Sequence, residues 1–88
     1  MLFMMICTWD PQDEREVRTK RANWEWPKEV RVISEYYDLQ GCRTLYVVDC
    51  DAAGLIACRA AWINLLMFEI FPVWPIGATR ELVKKQGS

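Results

Sequence analysis

The stretch VRVISEYYDLQGCRTLYVVDC, Val30 to Cys50, decides how this chain folds. Val30 to Leu39 mixes β-branched and aromatic residues with polar ones. Gln40-Gly41-Cys42-Arg43 then supplies a glycine, and Thr44 to Cys50 resumes the strand pattern. The segment predicts a β-hairpin turning near Gly41. Upstream, LFMMICTW (Leu2 to Trp9) is a continuous apolar run of strand length. It stops at Asp10-Pro11, where Asp can cap a helix and Pro fits the first helical position. A helix from Gln12 to about Trp26 follows, densely charged, with Val17, Arg21 and Trp24 at helical spacing on a narrow stripe. Pro27 biases Trp26 away from helical dihedrals and should end it there. Downstream of the hairpin, Asp49 or Asp51 can cap a second helix, Ala52 to about Leu66, apolar nearly all round and interrupted by Arg59 and Asn64. Met67 to Val73 is a last strand, with Pro72 hinting at an edge, and ATRELVKKQ (Ala78 to Gln86) is expected to form a short helix over part of helix two.

The order is βαββαβ. Right-handed crossovers without loop crossings make an α+β, ferredoxin-like sandwich the simplest closure: a four-stranded antiparallel sheet with two helices on one face. Residues 1–77 are expected to form this domain and residues 78–88 a C-terminal tail. A bare second face should show clean apolar–polar alternation along the strands. The strands break that rule: Phe3, Met5, Cys7 and Trp9 stand against Leu2, Met4 and Ile6, and Leu45 and Val47 against Tyr46 and Val48. Two or three large side chains per strand would expose on the order of a thousand Å², well above the patch a soluble monomer tolerates. A second copy of the same sheet is the economical cover, so a two-fold homodimer through the open face is expected, with a higher oligomer left open.

Several short strings taken together, WEWP (Trp24 to Pro27), EYYDLQG (Glu35 to Gly41), AWINLL (Ala61 to Leu66) and FEIFPV (Phe68 to Val73), resemble an uncharacterised prokaryotic family of short proteins. That family is filed as a domain of unknown function within the dimeric α/β-barrel assemblage. The resemblance runs along nearly the whole chain and implies the same dimeric sandwich, but no activity. Wider relatives in that assemblage include cofactor-free monooxygenases, haem-degrading enzymes, lactone isomerases and ligand-sensing domains, so fold does not select function.

Composition excludes more than it assigns. The 88 residues carry a net charge of −1, which offers no basic stripe for nucleic acid. The apolar stretches are cut by Arg59, Glu69 and Pro72, short of the roughly 20 residues needed to cross a bilayer. With no basic start or small-residue cleavage site at the N-terminus, a cytoplasmic location is expected. There is no histidine, which removes Ser-His-Asp and Cys-His catalysis, histidine–zinc hydrolysis and histidine-ligated haem. The haem-degrading relatives are therefore poor models. Cys7, Cys42, Cys50 and Cys58 lack the close pairs of a zinc site and are expected to be reduced, small hydrophobes. No metal and no cofactor is expected.

Three hypotheses follow. The first is a homodimeric protein binding a small apolar or aromatic molecule, with Trp9, Trp24, Trp26, Tyr36 and Tyr37 as wall residues. The second is a cofactor-independent monooxygenase- or isomerase-like enzyme using Glu35 or Asp49 as base and a tyrosine or Asn64 to orient substrate. The third is a non-catalytic structural or regulatory dimerisation module whose interior is filled by its own side chains. The five tryptophans pack cores and interfaces in ordinary small proteins. A strand acid more often faces solvent or pairs with a base such as Arg31 or Arg43. The size of the interior cavity separates the three. On a helix, Trp24 and Trp26 would lie about 200° apart, so only one of them would pack on the sheet.

Overall fold

The computed structural model describes residues 1–87. Strand β1 (Leu2–Thr8) leads through a 3-10 turn at Pro11–Asp13 into helix α1 (Glu14–Ala22). The hairpin β2 (Arg31–Tyr37) and β3 (Arg43–Asp49) follows, then α2 (Ala52–Trp62), β4 (Met67–Pro72) and α3 (Ile76–Gly87). The order in the sheet is β2-β3-β1-β4, and every neighbouring pair is antiparallel. This is the ferredoxin-like α+β arrangement with one helix added at its end.

Local chemistry explains the starts and turns. The Asp10 carboxylate accepts from the Gln12 amide at 3.0 Å, with Pro11 in the first turn. The hairpin closes through Asp38, whose side chain accepts from the Gln40 amide and whose carbonyl accepts from the Gly41 amide, both at 2.8 Å. Gly41 (φ 90°) and Cys42 (φ 59°) both adopt left-handed backbone, which is uncommon for cysteine and places its carbonyl to accept from the Trp9 amide. Asp51 caps α2 by accepting from the Gly54 amide at 3.0 Å.

Helix α1 is shorter than its charge pattern predicts. It ends at Ala22, four residues before Trp26, because Asn23 closes it: its amide donates to the Lys20 carbonyl and its side chain to the Thr19 carbonyl. The chain then drops towards the sheet, so Trp24 and Trp26 are not on a helix and are not divided between two faces. Both are half-buried against the core, with ring centroids 5.8 Å apart. Helix α2 likewise stops at Trp62 rather than Leu66, with the Leu65 and Leu66 amides both donating to the Trp62 carbonyl.

Both helices lie on the side of Met5, Cys7 and Trp9. One core cluster joins Met5, Cys7, Val30, Val48, Cys50 and Cys58, and a second joins Trp9, Val17 and Trp62. A bulge between Val32 and Ser34 resets the parity of β2. Val32 opposes Val48 on the helix side, but beyond the bulge it is Glu35 and Tyr37 that oppose Tyr46 and Thr44 there, with Tyr36 turned to the other face opposite Leu45. That other face carries Leu2, Met4, Ile6, Leu45 and Val47, all half-buried and none part of either core cluster, flanked by exposed Met67 and Phe71. Pro72 sits on an edge strand, as its missing donor requires.

The tail helix does not cover α2. Ile76, Leu82 and Val83 of α3 are exposed, and the molecule extends 55 Å along its longest axis against 29 and 17 Å across it. The outward side of α2 presents Ala52, Ala53, Ile56, Ala57, Arg59 and Ala60, and Ile56 stays 68% exposed because the tail does not reach it. Of the tail assigned to residues 78–88, Ser88 lies outside the described residues.

Candidate functional site

The widest convergence of polar and aromatic chemistry is on the helix side, where α1 crosses the hairpin. An open cleft of about 250 Å³ is lined by Arg21, Glu35, Tyr36, Tyr37, Thr44 and Tyr46. Arg21 and Tyr46 also wall an inner cavity whose other sides include Met5, Cys7, Trp24, Trp26, Trp62 and Phe68. That inner cavity is about 20 Å³, room for a single water and nothing larger. An edge-to-face series fills the space around it, with Trp62–Trp24 at 5.6 Å, Trp24–Trp26 at 5.8 Å and Trp26–Tyr46 at 5.1 Å.

Arg21 is the cation of this region. Its guanidinium carbon lies 5.0 Å from the Trp9 ring centroid and 5.7 Å from that of Tyr37. Arg18, Arg31 and Arg43 each pair with a carboxylate, of Glu14, Asp49 and Asp38 respectively, whereas no ion pair joins Arg21 to any acid among the described residues. Burial pushes the Cys7 thiol up to about 12 and raises the Tyr46 hydroxyl, and the charge of Arg21 opposes both shifts.

Beside it, Glu14 gathers donors. Its carboxylate accepts from Trp9 Nε1, from the Tyr37 hydroxyl at 2.8 Å and from Arg18 Nη2 at 3.2 Å. These bonds, Trp9 first, hold it at about 2, well below its ordinary value. The Cys42 thiol approaches the same carboxylate at 3.8 Å, and burial together with that negative charge raises it. Glu14 is an anchor already saturated by the chain. Thr44 is the reverse. It is 3% exposed, its hydroxyl makes no well-formed hydrogen bond, and it lies beside the Cys7 thiol and the Tyr46 hydroxyl, whose burial-raised pKa values it partly offsets.

The residues singled out by the sequence are distributed as follows. Trp26 donates through Nε1 to Glu35 Oε1 at 3.1 Å, which brings those two together at the cleft with Tyr37, while Tyr36 borders the cleft from a strand position that turns to the other sheet face. Trp9 is buried behind the cleft, where it holds Arg21 and Glu14, and Trp24 walls the inner cavity. Asp49 belongs to the opposite sheet face, where Arg31 and the N-terminal ammonium, each at 2.9 Å, hold its carboxyl below its usual range. Asn64 is exposed in the turn after α2, beside a surface groove shared with Gln12, Lys20 and Trp24. Glu35, Asp49 and Asn64 therefore do not converge. Arg21, Glu14, Thr44 and Tyr46 were not among the expected site residues. The available signal was Arg21 itself, a cation inside the Val17–Arg21–Trp24 stripe that faces the sheet.

Residues 1–87 match the model of a domain of unknown function, DUF3303, and the chain belongs to that family. No curated protein and no solved structure matches it. Among the described residues, no helix is long and apolar enough to cross a membrane.

Proposed function

We propose that this member of the DUF3303 family is a homodimeric small-ligand-binding protein. Its binding seat is the cleft between α1 and the hairpin. The observation that carries the reading is the juxtaposition, in about 250 Å³, of Tyr37 and Tyr46, an uncompensated arginine and Glu35. A single six-membered aromatic ring is of a size for that space, and the inner cavity behind it is not. The ligand therefore lies outside the tryptophan series, against Tyr37 and Tyr46. This fold-side reading leaves the open sheet face for the partner copy. Seven-residue strands in a four-stranded sheet give that face a footprint of about 440 Å². A standard interface buries about 800 Å² per partner, so the exposed apolar side of α3 is the natural supplement.

The test is a titration followed by the side-chain indole N–H resonance of Trp26, whose acceptor Glu35 lines the cleft. Millimolar aromatic fragments such as phenol and benzamide should shift that resonance in a saturable way. Absence of any saturable shift across the fragment set would reject ligand binding at this cleft. The water-sized inner cavity favours a second reading, a dimerisation module packed by its own side chains, and that negative outcome is the one it requires.

A further inference from the structure

We propose that the cleft selects aromatic monocarboxylates, with Arg21 anchoring the carboxylate and the tyrosines holding the ring. The proposal rests on the ligand-binding reading above and adds the charge and class of the ligand.

Two observations lead to it. The first is that Arg21 is half-buried on the sheet-facing side of α1 and has no carboxylate partner, while three other arginines of the same chain have found theirs. A guanidinium withdrawn from water and left without an anion gains more from a ligand carboxylate than an exposed, already paired one does. The second is orientation. Contact with the rings of Trp9 and Tyr37 at 5.0 and 5.7 Å keeps the guanidinium beside the cleft rather than out in solvent. The ordering cost of binding is thereby met before a ligand arrives.

The remaining charged group of the cleft sharpens the class. Glu35 stands in the same lining, with one carboxylate oxygen accepting from Trp26 Nε1 and no cation paired to it among the described residues. A second negative charge on the ligand would meet it at close range, so a monocarboxylate is favoured over a dicarboxylate. Glu14 does not compete for Arg21. Its oxygens are taken by Trp9, Tyr37 and Arg18.

The experiment compares benzoate, its neutral isostere benzamide and the dicarboxylate isophthalate against the full chain, with binding read from the Trp26 indole N–H shift. Benzoate should bind about tenfold or more tightly than benzamide, with isophthalate weaker than benzoate. Arg21→Gln should abolish the benzoate advantage while leaving benzamide binding in place, and Arg59→Gln, an equal change of charge on the exposed side of α2, should leave both unchanged. Equal binding of benzoate and benzamide by the unaltered protein would overturn the proposal while the ligand-binding reading stood, and that comparison needs no variant to fold. Isophthalate binding as tightly as benzoate would overturn the monocarboxylate assignment. No binding by any of the three would remove both readings.

Discussion

The Tyr37 hydroxyl donates to Oε1 of Glu14 at 2.8 Å, tying the end of β2 to the first turn of α1 across 23 residues of sequence. Trp9 Nε1 donates to the other oxygen, so one carboxylate joins β1, α1 and the hairpin edge. Two ring donors on one acid orient the wall of the cleft. They also make the joint dependent on ionisation.

That dependence has a definite sign. Folding lowers Glu14 from 4.5 to about 2, so its contribution is fully present above 4.5 and is lost as pH falls from 4.5 through about 2. Urea midpoints of the unaltered chain and Glu14→Gln should differ at pH 6 and converge as the pH approaches 2. A difference independent of pH across that window would mean that the carboxylate charge does not support the joint.

The cysteines should be poor nucleophiles. Burial pushes Cys7 to about 12 and Cys58 to about 11, and raises Cys50 and the half-buried Cys42. Reaction with Ellman's reagent at pH 8 should be slow for the folded chain, with Cys42 first, and should reach four thiols after denaturation. Replacing Glu14 by Gln removes a negative charge beside Cys42 and should speed its reaction. A fast-reacting thiol in the native protein would contradict these environments.

Gly54 reports how tightly α2 meets the sheet. Alanine there would gain up to about 1 kcal/mol in helix propensity. Its Cβ, however, would stand 3.0 Å from Val30 Cγ2 and 3.1 Å from Cys50 Cβ, both on buried residues. Overpacking of this kind costs about 1–3 kcal/mol, so the crowding outweighs the propensity gain. Urea denaturation of Gly54→Ala should show a lower midpoint with an unchanged slope; a higher midpoint would show that α2 can move off the sheet.

What could be read from sequence was local. Asp10-Pro11, the glycine turn before Arg43 and the aspartate cap of α2, offered by Asp49 or Asp51 and made by Asp51, each act within three residues of themselves. The end of α1 was misplaced because Pro27 is the conspicuous stop, whereas the helix is closed by Asn23 and by the burial of Trp24 and Trp26, which depends on the distant Trp62 and Tyr46. The β2 bulge arises only in pairing with β3, so the side on which Glu35 and Tyr37 lie had no signal in β2 itself. Glu14 carried no signal of its own, since its partners Trp9 and Tyr37 converge on it only through the fold. Arg21 was legible as a misfit in an apolar stripe, but the missing counter-charge that distinguishes it is a property of the assembled cleft.

The strongest test of the assembly uses two neighbours on β1. Met5 is buried on the helix side and Ile6, next to it, is on the open face at half burial. A glutamate at position 5 would place an unpaired charge in the core and should unfold the chain. A glutamate at position 6 reaches solvent in an isolated subunit, so its folding cost there is small. In a dimer closed through this face it would be buried beside Leu45, its register partner, and would sit close to its own copy across the two-fold axis. Light scattering at micromolar concentration should therefore find the unaltered chain at twice its monomer mass and Ile6→Glu at monomer mass, with the circular dichroism spectrum retained. If the unaltered chain runs as a monomer, the open face is not a dimer interface. If Ile6→Glu remains a dimer, the partner sits elsewhere, and α3 becomes the next surface to alter.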